Sequence, residues 1–112
     1  MMKDQTPQFI LVMITAPSEE VAREIADVLL EKKLAACVNL VPSISSLYTW
    51  QEKLNDDDEI LLIVKSRAEL FEEQLVPAVQ QIHPYDVPEI IALPIVMGSQ
   101  SYLDWIEEVT VT

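Results

Sequence analysis

The sequence predicts an α+β fold, with elements in the order strand–helix–strand–strand–helix–strand and one terminal helix. Three observations predict it. Two apolar runs, Phe9 to Ile14 and Ile60 to Val64, are short, continuous and flanked by polar or turn-forming residues. Apolar residues elsewhere recur at helical spacing, first over Val21, Ile25, Val28 and Leu29, then over Phe71, Leu75, Ala78, Val79 and Ile82. The whole chain has 112 residues, enough for one domain.

Each element has a local cause. Phe9-Ile-Leu-Val-Met-Ile14 has the length of a strand buried on both faces and stops at Thr15-Ala-Pro17. Ser18 caps the first helix, Glu19 and Glu20 suit its positive end, and the helix closes near Lys33. Ala35 to Val41 reads as a strand interrupted at Pro42, with pairing resumed from Ser43 to Lys53. Asn55-Asp-Asp-Asp58 has the composition of a turn, and Glu59 to Lys65 returns as the second arm of a long hairpin. Ser66-Arg-Ala-Glu69 matches a capping box for the second helix, in which Pro77 imposes a kink or a late start. His83-Pro84-Tyr85 ends that helix. Pro88 to Ile95 is the fourth strand, with Pro94 marking an edge or an end, and Ser101 to Glu108 forms the last helix. This order is the split β-α-β motif of ferredoxin-like folds. Residues 1–8 are expected to be a disordered segment, and residues 9–112 the folded domain.

Composition excludes several functions. Nineteen acidic residues face seven basic ones, a net charge of −12, which repels nucleic acid and anionic membrane surfaces. The opening segment is polar and lacks a secretory h-region, so a cytoplasmic location is expected. One glycine leaves no phosphate-binding loop, and one histidine with one cysteine leaves no zinc motif. No serine lies in a nucleophile-elbow context, and no nucleophile–base pair is legible, so the chain is not expected to be an enzyme.

The two apolar strands carry a further implication. A sheet with helices on one face normally wets the other, and its strands then alternate. Phe9 to Ile14 and Ile60 to Val64 do not alternate, so a second copy of the chain is expected over the free face.

Candidate site residues are those whose type fits poorly with packing alone. Cys37, mid-strand, reads as a small buried hydrophobe or as a soft metal ligand. His83 complements a helix end or serves a pocket, where the bends at Pro84 and Pro88 turn Tyr85 and Glu89 toward it. Tyr48 and Trp50 suit an interface or a pocket wall. The acidic stretch Asp56 to Glu59 suits a solvated turn or a hard cation. Lys65 ends an apolar strand and needs a partner; Glu59 on the same strand is roughly 20 Å away, so Glu89, or Glu59 of a neighbouring chain, is the expected one.

The motifs Leu34-Ala-Ala-Cys-Val-Asn-Leu40, Tyr48-x-Trp50, Glu59, Lys65, His83-Pro-Tyr85, Pro88-Glu89, Leu93-Pro94 and Tyr102-Leu-x-Trp105 together resemble the CutA (divalent-cation tolerance) family, from about Phe9 to Glu108. The resemblance implies a homotrimer of ferredoxin-like subunits with long interlocking hairpins, an architecture akin to PII signalling proteins, and a link to tolerance of cations such as copper. It also implies ligand positions that differ here. A cysteine before Thr-Ala-Pro is replaced by Ile14, and the first of two histidines before Pro-Tyr by Ile82. His83 and Cys37 are the metal-ligating types that remain, so no cofactor is required, and copper or another divalent cation is expected to bind weakly, mainly through His83. The expected function is binding of a cation or small molecule in clefts between subunits, lined by Cys37, Trp50, Glu59, Lys65, His83, Tyr85 and Glu89. The alternative is a scaffold trimer that anchors a partner protein.

Overall fold

The computed structural model describes residues 8–111; the expectation for the N-terminal segment falls on residues outside these, apart from Gln8. Four strands form one antiparallel sheet in the order β2-β3-β1-β4: β1 Phe9–Ala16, β2 Cys37–Trp50, β3 Lys53–Arg67 and β4 Ile90–Pro94. The helices are α1 Glu19–Glu31, α2 Val76–Ile82 and α3 Gln100–Val109. The expected α+β ferredoxin-like order is therefore present.

Alternation along β1 and β3 sets the two faces of the sheet. Ile10, Val12, Ile14, Leu62 and Val64 point to one face and are buried against Ala22, Ile25 and Leu29 of α1 and Ala78 and Val79 of α2. Leu11, Met13, Leu61 and Ile63 point to the other and are only half-buried, while Ile91 and Leu93 of β4 are 50% and 45% exposed. The C-terminal helix covers one end of this second face. There Arg67 donates from Nε to Thr110 Oγ1 at 2.8 Å, and Ile106 is buried. The rest of the face lacks cover from any described element.

The first helix forms as its sequence requires. Ser18 Oγ accepts the Val21 N–H at 3.2 Å, and Glu19 and Glu20 occupy the first turn. At the other end Lys33 adopts a left-handed φ of 56°, letting Lys33 N–H reach Leu30 O and Leu34 N–H reach Leu29 O.

The long hairpin departs from the sequence reading at its tip. The turn is Gln51-Glu52, with left-handed φ of 52° and 65°, and Asn55 to Asp58 belongs to β3. Two positive φ angles match the twist of antiparallel strands and bring Trp50 opposite Lys53. The register then pairs Tyr48 with Asn55 and Ser46 with Asp57, so the acidic residues alternate between faces instead of clustering in a loop. Pro42 lies in the irregularity between Val41 and Ile44, where Ser43 takes a φ of 61° and a missing donor breaks no ladder.

The expected capping box is also absent. Ser66 is fully buried in β3 and donates its hydroxyl to Leu34 O at 2.6 Å, tying the strand to the end of α1, while Glu69 pairs with Arg67. The helical segment instead begins as a 3₁₀ turn over Ala68–Leu70 and a π turn over Phe71–Leu75, where Val76 N–H reaches back to Phe71 O. Pro77 thus falls in the first turn of α2, where its missing donor costs nothing. The fourth strand is an edge, and Pro94 is its last residue.

Left-handed backbone costs a side chain roughly 1 kcal/mol relative to glycine. Glu52→Gly should therefore stabilise the assembly by about that amount in denaturant unfolding, with unchanged m-value. A loss of stability would argue against a left-handed turn at this position.

Candidate functional site

The sheet thins abruptly at one place. The first strand ends at Ala16, opposite Ile60, so Glu59 is the first residue of β3 with β2 alone beside it. Beyond it, residues 44–50 and 53–59 run out as a two-stranded arm. The loop between α2 and β4 crosses the gap left at the end of β1 and meets this arm. Together they enclose a cleft of about 720 Å³.

Two hydrogen-bonded units build the cleft. His83 fixes the loop to the sheet: its Nδ1 accepts the backbone N–H of Tyr85 at 3.1 Å, so its Nε2 carries the proton and donates to the Thr15 carbonyl at 2.8 Å. The imidazole is buried, with the Tyr85 ring centroid 4.8 Å away. Tyr85 then reaches across the cleft and donates its hydroxyl to Glu59 Oε2 at 2.7 Å. Glu59 is only 6% exposed, and its other oxygen has no hydrogen-bond partner among the described residues. On the arm, the Tyr48 hydroxyl donates to Asp57. Ser45, Ser46 and Trp50 line the same side, and Asp86 and Glu89 the other.

Both phenols are held protonated. Burial, and then the hydrogen bond and charge of Glu59, push Tyr85 well above its ordinary value of 10.0. Tyr48 is raised chiefly by its bond to Asp57. They therefore act as fixed donors to carboxylates, and neither is poised as a base.

The structure thus brings together Trp50, Glu59, His83, Tyr85 and Glu89. It leaves Cys37 and Lys65 apart. These two are cross-strand neighbours in the register, Lys65 being six residues along β3 from Glu59. The Lys65 ammonium bonds to Asn39 Oδ1 and lies 4.0 Å from Cys37 Sγ. Within the subunit its partner is a neutral amide and not Glu89, because Asn39 projects from the adjacent strand on the same face. Tyr102 of α3 also packs there, its pKa raised by burial first and by Cys37 second. The sequence reading missed Asp86, Ser45 and Ser46; the two prolines that flank Asp86 at 84 and 88 were the available signal.

These contacts do not suit a resident copper ion within one subunit. Both His83 nitrogens are engaged by backbone groups, and Cys37 lies in the other cluster. Among the described residues no three His, Cys, Asp or Glu side chains converge.

Residues 10–109 match the family described as CutA1 divalent ion tolerance protein. The Divalent-cation tolerance protein CutA of Thermus thermophilus is 53% identical over 100 residues, covering 89% of this chain and 96% of that protein. The solved Cut A1 structure from the same organism superposes with a TM-score of 0.89 at 51% identity, covering 92% of this chain and 99% of that one. CutA1 from Oryza sativa superposes at 0.90 with 44% identity, covering 96% and 98%. The periplasmic divalent cation tolerance protein CutA from Archaeoglobus fulgidus superposes at 0.87 with 46% identity, covering 90% and 97%. The chain belongs to the CutA1 divalent ion tolerance family. Among the described residues, no helix is long and apolar enough to cross a membrane.

Removing the Tyr85 hydroxyl leaves Glu59 without its donor, so Tyr85→Phe should cost about 1 kcal/mol at neutral pH. A raised phenol pKa contributes stability that is complete below pH 10 and is lost as pH rises through the folded-state value. Wild type should therefore lose stability above pH 10 more steeply than Tyr85→Phe; parallel curves would show that the Tyr85–Glu59 bond contributes nothing.

Proposed function

We propose that the protein is a non-enzymatic homotrimeric binding module that holds a cation or small molecule, in a PII-like manner, in clefts between subunits of which the cleft above forms one wall. The single observation that carries this reading is the Tyr85–Glu59 bridge. It fixes a loop and a free hairpin arm around a concave space, with a buried carboxylate inside. Pockets of this size with a few convergent polar groups are the usual form of a ligand site. The tolerance phenotype in the family name fits a protein that senses or sequesters cations, whereas the contacts of His83 speak against tight copper coordination within one subunit.

The trimer has two supports. Away from α3 the second sheet face carries half-buried Leu11, Met13, Leu61 and Ile63 and exposed Ile91 and Leu93, and the arm carries exposed Leu47, Trp50 and Leu54. A two-stranded arm is marginal alone in water. Packing arms and faces of three subunits together covers both. The number three comes from the family resemblance.

The scaffold reading has its own observation: Val87, Val96 and Met97 are 70%, 80% and 85% exposed, as a partner-anchoring surface would be.

Sedimentation should give one species of three 12.7 kDa chains with no folded monomer at micromolar concentration. A thermal-shift screen with divalent cations, nucleotides, amines and carboxylates should give at least one hit that Glu59→Gln removes. Silence across every class would favour the scaffold.

A further inference from the structure

The charges around the cleft define its ligand more narrowly. The carboxylates of Glu59, Asp86 and Glu89 line it, and among the described residues of the subunit neither Lys nor Arg does. Among the described residues the ion pairs are Arg23–Glu19 and Arg67–Glu69, so Glu59 has no cationic partner. Glu59 is nine-tenths buried as a residue, one oxygen is held by Tyr85, and the other is left without a hydrogen-bond partner at the cleft wall. Phosphates and carboxylates would meet repulsion here. A hard divalent cation needs about six oxygen ligands, and the Glu59 carboxylate, already shared with Tyr85, offers one free oxygen.

The walls point the same way. Tyr48, Trp50 and Tyr85 surround the carboxylates with aromatic surface, which attracts organic cations and gives little to a hydrated metal ion. Ser45 and Ser46 add hydroxyl acceptors. An alkylammonium group carries three donors and an apolar stem, and so uses both kinds of lining.

We propose that this cleft is a receptor for an aliphatic di- or polyamine, with one ammonium seated on Glu59 between Tyr85 and Trp50 and a second at the Asp86–Glu89 mouth. The inference rests on the small-molecule reading above and names its ligand class. Amine binding would be strongest at low salt, because the mouth carboxylates are exposed.

Calorimetric titration of the full chain with 1,4-diaminobutane and spermidine tests this, beside MgCl₂, CuCl₂ and ATP. Amine binding is expected, weakened about tenfold or more by Glu59→Gln. Asp86→Asn, at an exposed residue of the cleft mouth, should weaken it roughly threefold while leaving the sedimentation of the assembly unchanged. That second variant decides the matter if Glu59→Gln fails to assemble. Amine affinity unchanged in Asp86→Asn, or in a folded Glu59→Gln, overturns the proposal. Glu59-dependent binding of a metal ion or ATP without amine binding overturns it but keeps the small-molecule reading; no binding by any probe overturns both. A Glu59→Gln variant that sediments as monomer, with wild type insensitive to amines, assigns the missing cation to a neighbouring subunit and also overturns it.

Discussion

Everything in this subunit depends on β3 having two partners along one half and a single partner along the other. From Leu61 to Lys65 it lies between β1 and β2; from Lys53 to Glu59, among the described residues, only β2 accompanies it. The three-strand half is stabilised by the helices packed on it. The two-strand half has no core of its own. Where one regime gives way to the other, the sheet has a corner, and the loop that follows α2 fills it. The cleft is a consequence of that corner, and Glu59 stands in it because it is the first residue that β1 does not cover.

A corner of this kind needs a fixed loop, and the loop contains two prolines that remove donors. His83 supplies the missing connection. By accepting from Tyr85 N–H and donating to Thr15 O, it spends both nitrogens on backbone and stitches the loop to the last turn of the sheet. A histidine used in this way is structural, even though it touches the site. Tyr85 is then positioned by a rigid base, and its long ring carries one hydroxyl to a carboxylate on a different element. Positioning residue and ligand-facing residue are neighbours in sequence but do different work.

Much of the fold was legible in the sequence, because burial imposes periods of 2 and 3.6 that β1, β3 and α1 obey closely. The failures have a common origin. Asn55 to Asp58 was read as a turn on composition, yet cross-strand pairing of Tyr48 with Asn55 places it in a strand, and two residues with no turn preference, Gln51 and Glu52, take the left-handed angles instead. Ser66 looked like a cap, yet burial gives its hydroxyl a better use in joining β3 to Leu34. Tertiary pairing overrode local propensity in both cases. For the site, the bend that brings Tyr85 near His83 was readable from two prolines. The bridge from Tyr85 to Glu59 was not, since it spans 26 residues and no local period records it. The same holds for Lys65, whose contact with Asn39 follows from register alone.

The acidic composition acquires a purpose at this level. A net charge of −12 on each chain is self-repulsive, and trimerisation would bring three such charges together. That repulsion opposes assembly, so burial of the apolar second face must exceed it for the trimer to hold. The field that remains outside is strongly negative, and a concave site with low-dielectric aromatic walls focuses it. Cations are therefore concentrated at the cleft mouth whatever their chemistry, and discrimination among them falls to the interior. There a lone carboxylate bonded to a phenol, rather than a set of converging oxygens, favours a cation that brings its own hydrogen-bond donors and an apolar stem. On the amine proposal, charge would draw the ligand in, and the shape of the corner in the sheet would decide which one stays.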